Sequence, residues 1–353
     1  MLPEDLVRAS PTLTESEARK VLSLAHRHGS LPAVTPAGLR RGPYLATRAA
    51  FDVSHLTLAA RRPSAIDPFV KYAFYAADGA IVEAVRIPLE KQGRFVACVS
   101  SQIGCGIGCT FCATGRLGLG RNLQAWEIVD QVGQIKKELP VGSRMHGVVY
   151  QGMGEPLANV REVVQSVRVL SDPSMLAIDA RAITVCTSGL LPGMKTLFAE
   201  LPNVRIGISI GSAIPEKRRK LIPIEKQHPL EEVLALAAEQ ARSTRIAPML
   251  AFTLLGGVND GDDDIAALQA MAIRFRAEAN LAPRISLIAY NPIGSGDPFV
   301  PASAERAEEV RKALGSVGVP VVRRYSGGAD VAAACGQLGM ELGAASNGRI
   351  ACG

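Results

Sequence analysis

From residue 125 onward, short nonpolar runs rich in β-branched residues alternate with longer segments in which nonpolar positions recur every three or four residues. The short runs predict buried strands, and the longer segments predict amphipathic helices. The predicted strands span residues 146–151, 182–187, 204–210, 248–255 and 284–290. The predicted helices span residues 125–138, 159–170, 191–200, 229–242 and 262–279. This alternation is typical of parallel βαβ units whose helices cover the sheet.

A further nonpolar run at residues 96–99 precedes these elements and brings the predicted parallel strands to six. Six βα units predict an α/β fold, a partial (β/α)6 barrel related to the TIM barrel, in which catalytic loops follow the C-terminal ends of the strands. A last helix near 303–314, a short strand at 319–324 and the segment 330–342 then complete the predicted core.

The chain before this core has a different pattern. Residues 1–65 predict a small helical unit, because Thr14 and Glu17 form a capping-box sequence ahead of an amphipathic stretch. Two alternating runs that flank a turn at Asp78-Gly79 then predict a β-hairpin. We therefore divide the chain into an N-terminal accessory region at 1–90, a core at 91–342 and a frayed tail at 343–353.

The composition is that of an ordinary globular protein. Of the 353 residues, 48% are hydrophobic and 20% are charged, which argues against extensive disorder. No run approaches membrane-spanning length, and the N-terminus has neither the basic region nor the nonpolar core of a signal peptide. We therefore expect a cytoplasmic protein that does not associate with a membrane. Seven cysteines in that reducing compartment favour metal ligation or catalysis over a disulfide framework.

The densest cysteine pattern lies at residues 100–112, where Cys105, Cys109 and Cys112 form a C-x3-C-x2-C motif in a glycine-rich loop. Three thiolates in such a loop can hold three irons of a [4Fe-4S] cluster and leave the fourth iron open to another ligand. A structural zinc site is the competing interpretation, but it needs four ligands and usually paired C-x2-C units. Three buried cysteines without a metal are the remaining alternative. With Phe111 before the last cysteine, the motif resembles the signature of the radical S-adenosylmethionine (SAM) superfamily, whose members let SAM bind the open iron.

Small and polar residues follow several of the predicted strands, at the edge where a barrel would hold its ligand. Glu155 offers a carboxylate suited to the ammonium group of SAM, and Ser188 offers a hydroxyl for its carboxylate or ribose. Asn291 can both donate and accept, as reading an adenine edge requires. The candidate SAM contacts are Gly154, Glu155, Ser188, Ser209, Ile210, Gly211 and Asn291. Ordinary turn residues are the alternative at each position.

The local sequence around two further residues, Cys335 and Glu83, does not decide whether they take part in the reaction. Cys335, followed by Gly336, suits an exposed nucleophile, although a single cysteine among alanines is more often buried. Glu83 lies in the second run of the predicted hairpin, and taken alone it is most simply an exposed strand residue.

Four motifs, in order and spacing, together resemble the RlmN/Cfr family of radical SAM RNA methyltransferases. They are CVSSQIGC-x3-C-x2-C at 98–112, GMGEP at 152–156, TSG with a following proline at 187–192, and AACGQL at 333–338. The resemblance implies that one SAM methylates Cys335 and that a radical from a second SAM then removes a hydrogen from this methyl group. The carbon radical so formed attacks an adenine ring carbon. The resemblance also implies that Cys98 resolves the product through a transient disulfide with Cys335 and that Glu83 accepts a proton.

The chain departs from the family pattern at one candidate SAM position, Gly211, and directly before another, Asn291. Gly211 stands where the family usually has histidine, so the cofactor contact at this position is open. The usual Trp-Asn-Pro is Tyr290-Asn291-Pro292 here, which is a milder change. The N-terminal unit is short and has no clear match to the RNA-contacting part of the family.

The sequence therefore predicts a SAM-dependent RNA methyltransferase that methylates an adenine ring carbon, C2 in preference to C8, in ribosomal or transfer RNA. We expect a monomer that takes electrons from an external reductant such as flavodoxin or ferredoxin. A formal net charge of +6 and the basic run at 217–220 are consistent with RNA, although a solvated basic surface is the simpler explanation of the charge alone. The alternatives are a C8 methyltransferase of the Cfr type, a radical SAM methyltransferase of a non-RNA substrate such as a peptide, and a non-catalytic metal-binding module.

Overall fold

A computed structural model describes residues 1–294 and 296–340, so the predicted tail at 343–353 lies outside the described residues. Within the described residues, ten strands form one mixed sheet and two short strands form another. The strands are β1 (Thr57–Pro63), β2 (Val70–Tyr75), β3 (Ile81–Pro88), β4 (Arg94–Val99), β5 (Gln102–Gly104), β6 (Leu119–Asn122), β7 (Arg144–Tyr150), β8 (Ile183–Thr187), β9 (Arg205–Ser209), β10 (Met249–Leu254), β11 (Arg284–Ala289) and β12 (Val321–Arg324). The α-helices are α1 (Pro3–Ala9), α2 (Glu15–His28), α3 (Arg41–Ala50), α4 (Ala113–Arg116), α5 (Ala125–Lys137), α6 (Val160–Ser171), α7 (Leu191–Glu200), α8 (Pro215–Leu221), α9 (Leu230–Thr244), α10 (Asp262–Ala279) and α11 (Ala304–Ser316). Short 3-10 turns lie at Pro156–Asn159, Ala180–Ala182, Pro223–Lys226 and Ala329–Val331.

The large sheet has the strand order β1-β2-β3-β4-β7-β8-β9-β10-β11-β12. Every neighbouring pair from β4 to β12 is parallel, and at least one helix lies in each connection between them. This confirms the α/β fold that the alternation of strands and helices predicts. Each predicted strand and helix of the core lies within two residues of its observed bounds, because the nonpolar periodicity matches the faces that become buried.

The predicted hairpin is continuous with this sheet. β2 and β3 pair antiparallel, and β3 also pairs antiparallel with β4, so that Val85 lies opposite Cys98. The sequence does not predict β1, because residues 1–65 predict a helical unit. Nearly all of its residues are exposed, so it lacks the nonpolar alternation that marks a half-buried strand, and its pairing with β2 defines it.

The helical unit forms as its capping sequence predicts. The backbone N–H of Glu17 donates to Thr14 Oγ1 at 3.3 Å, and Glu17 Oε2 accepts from the Thr14 N–H at 2.9 Å. Arg40 also pairs with this carboxylate at 2.7 Å, which connects α2 to the start of α3. The start of α2 is therefore held by local and nonlocal contacts together.

The nonpolar core lies between the parallel strands and the helices that cover them. Val148, Val185, Ile208 and Leu250 are at most 1% exposed on four neighbouring strands. The carboxyl ends of these strands all meet at one edge of the sheet, where loops rather than helices follow them. No helix in the described part of the chain has both the length and the nonpolar character that crossing a bilayer requires.

Candidate active site

The loop Cys105–Cys112, here called the cysteine loop, follows β5 and is anchored at both ends. The Cys105 N–H donates to Gly118 O at 2.7 Å, and the Thr110 N–H donates to Leu221 O at 3.1 Å. Gly104 has a φ of +70°, and a Cβ there would lie 1.9 Å from Gly118 O. Only glycine fits this close approach, so the loop requires glycine at the position before its first cysteine.

The three thiols of this loop line a cavity of about 140 Å³ at the carboxyl ends of the parallel strands. We call it the inner cavity. Gly154, Glu155, Ser188, Ser209, Gly211, Cys186 and Cys335 are among the other residues that line it. Of the predicted site residues, Glu83, Cys98, Ile210 and Asn291 are not among those that line it. The structure therefore divides the predicted residues into two sets.

The thiols fit an iron-sulfur cluster on their own chemistry. Burial raises the pKa of Cys105 to about 12, and burial together with the neighbouring Cys112 and Cys105 raises the pKa of Cys109 well above 9.0. Such thiols become thiolates only when a cationic centre compensates them. Among the described residues, no three Cys, His, Asp or Glu side chains converge on a point where they could share a single metal ion. A cluster does not need that convergence, because each thiolate binds a different iron.

Glu155 follows β7 and is 4% exposed. Its carboxylate accepts from the Ser188 N–H and from Ser188 Oγ, both at 2.8 Å, and from the Leu157 N–H at 3.0 Å. Burial raises the pKa of this carboxyl, against the opposing effect of the hydrogen bonds from Ser188. A buried carboxylate in a fixed orientation can bind an ammonium group in this cavity.

At the end of β9, Ser209 and Gly211 line the inner cavity, and Ile210 between them does not. Ile210 is fully buried, and its N–H donates to Ala251 O at 2.8 Å. Gly211 lines the cavity with a φ of +65°, and a Cβ there would lie 2.8 Å from Ile222 Cδ1. Ile222 therefore occupies the space beside the position where the family usually has histidine.

Arg218 is a residue of this site that we did not predict. It belongs to the basic run at 217–220, for which a solvated surface is the simpler expectation, yet it is fully buried. Its guanidinium donates to Glu225 at 2.7 Å and to Ser188 O and Ser209 O at 2.6 Å each. The helical spacing of Ile214, Arg218 and Ile222, at intervals of four, was the available signal that Arg218 shares a buried helix face.

Cys335 reaches the inner cavity because the segment 326–339, here called the C-terminal segment, packs on the cysteine loop and α4. The Ala113 N–H donates to Gly336 O at 2.8 Å, and Thr114 Oγ1 donates to Leu338 O at 2.6 Å. Asn291 Nδ2 lies 3.0 Å from Ser326 Oγ and 3.4 Å from Cys335 O. The side-chain amide of Asn291, which we predict to contact an adenine edge, thus contacts the C-terminal segment.

Cys98 lies on β4 and does not itself line the inner cavity, but it packs against Cys186, which does. It belongs to a small nonpolar cluster with Cys186 and with Ala333 and Leu338 of the C-terminal segment. Burial, and secondarily the proximity of Cys335, raise the pKa of Cys98 to about 12. Cys98 and Cys335 are both free thiols.

Glu83 is buried at 1% exposure, so the simple interpretation as an exposed strand residue is wrong. Its Oε1 lies 2.8 Å from Lys71 Nζ on the neighbouring strand, and its Oε2 accepts from the Gly339 N–H at 2.7 Å. Lys71 is also buried, at 2% exposure. A buried carboxylate therefore contacts the segment that holds Cys335, although 256 residues separate Glu83 from Gly339.

Cys186 and Arg324 complete the surroundings of Cys335, and we predicted neither. Cys186 lines the inner cavity. Arg324 Nη1 donates to Gln151 Oε1 at 2.6 Å. Burial lowers the pKa of Arg324, but its proximity to Cys335, Cys186 and Cys98 outweighs this and raises it. The only feature of the sequence that indicates a role in the site for either residue is that Cys186 directly precedes the TSG motif.

The chain is similar to known radical SAM proteins and RNA methyltransferases. Residues 99–270 match the model of the Radical SAM superfamily. A probable RNA methyltransferase of Sorangium cellulosum is 53% identical over 96% of this chain and 91% of its own. The dual-specificity RNA methyltransferase RlmN of Syntrophobacter fumaroxidans is 38% identical over 80% of each chain. The crystal structure of a radical SAM methyltransferase from Sphaerobacter thermophilus superimposes with a TM-score of 0.85, at 30% identity over 96% of each chain.

Proposed function

The chain belongs to the RlmN/Cfr family of radical SAM RNA methyltransferases, and from this premise we propose that it methylates a ring carbon of an adenine, C2 in preference to C8, in ribosomal or transfer RNA. We propose that the methyl group passes through Cys335 and that each turnover consumes two SAM. The relatives named as RNA methyltransferases support RNA as the substrate.

One observation carries this proposal: Cys335 lines the same cavity as the three thiols of the cysteine loop. These residues are distant in sequence, and the hydrogen bonds from α4 to the C-terminal segment bring them together. A nucleophilic thiol next to a cluster site supports a reaction in which that thiol carries the transferred group.

The residues of the inner cavity have binding roles in this proposal. Cys105, Cys109 and Cys112 hold a [4Fe-4S] cluster, and Glu155 pairs with the SAM ammonium group. Ser188 orients Glu155 through the two hydrogen bonds that it donates. The rest of the SAM site is shaped by Gly154, Ser209, Ile210 and Gly211. Because Gly211 stands where the family usually has histidine, this site has no imidazole at that position. When bound, the cluster and SAM supply a methyl group and a hydrogen-abstracting radical.

The residues around the C-terminal segment act on the substrate. The amidine carbon of adenine is electron-poor and does not attack SAM, so Cys335 delivers the carbon as a tethered group. A thioether then joins the protein to the RNA, and the unpaired electron that the radical addition leaves on the adduct would pass to the oxidised cluster. Glu83 accepts the proton from the attacked carbon, and the Cys98 thiolate attacks the sulfur of Cys335. As the disulfide forms, the sulfur–carbon bond breaks, and the carbon keeps the electron pair and takes up a proton to become the methyl group of the product.

The contacts of both residues support these roles. Cys98 packs in the same cluster as Ala333 and Leu338, which lie on either side of Cys335 in the sequence. Glu83 accepts from Gly339, at the end of the same segment. Asn291 also contacts this segment, so we propose that it positions Cys335 in addition to its predicted contact with SAM.

The target adenine must leave its stack in the RNA to reach this site, because the inner cavity lies at the strand ends within the fold. Enzymes that modify a base turn it out of its stack or act on unpaired strands. The net charge of +6 supports binding of the RNA phosphates at the protein surface.

The test is mass spectrometry of nucleosides from RNA of cells with and without the gene, combined with methylation of the same RNA by reconstituted protein. We expect one methyladenosine to disappear in the deletion and to reappear in vitro, with a fragmentation that assigns C2. A C8 product identifies the Cfr-type activity. SAM cleavage without any RNA product favours a non-RNA substrate, and absence of SAM cleavage favours the non-catalytic metal-binding module.

Two cysteine variants test the route. Cys335→Ala should retain its iron and lose methyl transfer, and persistent transfer would remove the tethered mechanism. Cys98→Ala should accumulate protein covalently joined to RNA, seen as a shifted band on a denaturing gel. Free methylated product at the normal yield from Cys98→Ala would refute its resolving role.

A further inference from the structure

Arg324, at the end of β12, is a cation that the proposed mechanism does not use. Its side chain is half-buried, and burial, which lowers the pKa of the guanidinium, is the largest single influence on it. The pKa is nevertheless raised, because three thiols lie nearby, those of Cys335, Cys186 and Cys98. A cation that has lost this much water needs a counter-charge.

No carboxylate supplies that counter-charge. Within residues 1–294 and 296–340, no Asp or Glu lies at ion-pairing distance from Arg324, and its guanidinium donates to the neutral side chain of Gln151 at 2.6 Å. Arg218, by contrast, pairs with the buried carboxylate of Glu225. The groups beside Arg324 that can become anionic are therefore thiols.

Gln151 connects Arg324 to one of these thiols. It directly follows β7, and its backbone N–H donates to the Cys98 sulfur while its side chain accepts from Arg324. Burial, and secondarily Cys335, raise the pKa of Cys98, whereas Arg324 and the Gln151 N–H act in the opposite direction. Arg324 is thus held where its charge favours the thiolate of Cys98 over the thiol.

We propose that Arg324 stabilises the thiolate of Cys98 that attacks the sulfur of Cys335. This inference rests on the proposed function, in which that attack releases the RNA. In the adduct the Cys335 sulfur is bonded to carbon and cannot carry the negative charge, so Cys98 gains from the cation. The Cys98 thiol gives up one proton and the released carbon takes one up. The two electrons that disulfide formation removes from sulfur reduce this carbon, so the step needs no outside electron.

The other titratable groups around Cys98 do not replace Arg324. They are two thiols and one ion pair, namely Cys335, Cys186 and the pair of Glu83 with Lys71 on the neighbouring strands. Either thiol would oppose a charge on Cys98 if it ionised, and Lys71 already compensates Glu83. Among the described residues, Arg324 is thus the cation whose charge acts on Cys98.

A phosphate of the RNA is the other anion that could pair with Arg324, and the geometry favours the thiolate. Arg324 is absent from the lining of the inner cavity, whereas Gln151 belongs to it. A group bound in that cavity therefore meets Gln151 and not the guanidinium.

The test reproduces the attack without RNA or SAM. Methyl methanethiosulfonate converts the Cys335 thiol to a methyl disulfide in full-length protein that has been reconstituted anaerobically with its cluster. The Cys98 thiolate then attacks the Cys335 sulfur, and methanethiolate leaves with the electron pair as the new disulfide forms. Peptide mass spectrometry of quenched samples follows the disulfide between Cys98 and Cys335 over time.

Arg324→Met should slow this disulfide formation about tenfold between about pH 7 and pH 9. Raising the pH by about one unit should restore the original rate, because the thiolate fraction rises about tenfold per unit below the pKa. Arg324→Lys keeps the charge and should slow the reaction less than Arg324→Met does. The control is Arg323→Met, at an exposed position on the same strand, and its rate should match that of the unmodified protein.

Gln151→Glu tests the same charge without removing a large side chain. The new carboxylate gives Arg324 a counter-charge, so disulfide formation should slow here as well.

An unchanged rate in Arg324→Met overturns the inference, as does an unchanged rate in Gln151→Glu if Arg324→Met does not fold. Three other results also overturn it: a slowing that higher pH does not restore, weaker binding of ribosomal or transfer RNA with an unchanged rate, and a disulfide from Cys335 to Cys186 instead. If the unmodified, reconstituted protein cleaves no SAM, the proposed function fails, and the disulfide measurement still decides the role of Arg324.

Discussion

Among the described residues, two ion pairs have both side chains buried. They differ in the other groups that form hydrogen bonds with the paired side chains. Arg218 and Glu225 lie under the inner cavity, where the guanidinium also binds the carbonyl oxygens at the ends of β8 and β9. Lys71 and Glu83 lie beside the C-terminal segment, where the carboxylate accepts one N–H from Gly339.

The difference separates a structural pair from a pair suited to chemistry. The partners of Arg218 are all fixed backbone or a buried carboxylate within 30 residues of it in sequence. Glu83 instead contacts the segment that carries Cys335, across 256 residues. Burial of an ion pair contributes little net stability, whereas removal of one partner is costly. Variants that remove one partner at a time therefore reveal what each pair does.

Arg218→Met should give the largest effect. It removes the donors to the strand-end carbonyls and leaves Glu225 buried without its counter-charge, so the free energy of unfolding should fall by about 3–5 kcal/mol. Urea unfolding followed by circular dichroism measures this. The neighbouring Arg219→Met, at an exposed position, is the control and should stay within about 0.5 kcal/mol of the original protein. A loss below about 1 kcal/mol for Arg218→Met would contradict a structural role.

Glu83→Gln should slow the reaction in the fraction of protein that remains folded, and it should also lower stability because it removes the carboxylate that pairs with buried Lys71. The amide keeps the shape and the hydrogen bond from Gly339 but cannot take a proton, so release of methylated RNA should slow at least about 100-fold. Quenched time courses on denaturing gels should show the protein–RNA adduct accumulating. Glu225→Gln makes the same chemical change in the other pair, and its folded fraction should release product at the normal rate. Normal release from Glu83→Gln would remove its role as proton acceptor.

Asp67→Asn tests a smaller, pH-dependent contact of the C-terminal segment. Asp67 accepts from the N–H groups of Gly328 and Phe69 and from Tyr325 OH. Burial raises the pKa of Asp67, but these hydrogen bonds outweigh it and hold the pKa below its ordinary 3.8. The charged form thus stabilises the fold above about pH 4, and this contribution disappears as the pH falls through the native pKa.

We expect Asp67→Asn to cost about 1 kcal/mol of unfolding free energy at pH 7 and progressively less toward pH 3. Urea unfolding of both proteins across this range gives the comparison. A difference that stays constant with pH would show that the charge of Asp67 is not what holds the segment.

The local sequence pattern was sufficient to predict the main strands and helices of the core and the three cysteines of the cysteine loop. The predicted strands and helices of the core lie within two residues of their observed bounds, because each depends on the periodicity of its own side chains. Cys105, Cys109, Cys112 and Glu155 share one cavity because parallel strands bring their carboxyl ends to one edge. The RlmN/Cfr resemblance also rests on the order of motifs along the chain.

Other features depend on contacts that sequence spacing does not encode. The burial of Glu83 follows from its pairing with Lys71 across a hairpin and with Gly339 at the far end of the chain. Arg218 looked like part of a basic surface, and the packing of α8 against the strand ends buried it. Ile222 fills the space beside Gly211 through the turn that follows the same helix. The sequence by itself determined the main elements of the core and the cluster motif, since both depend on near neighbours. The tertiary structure decided which charges are buried and brought Cys186 and Cys335 to the cavity of the cluster motif, since these depend on contacts between distant segments.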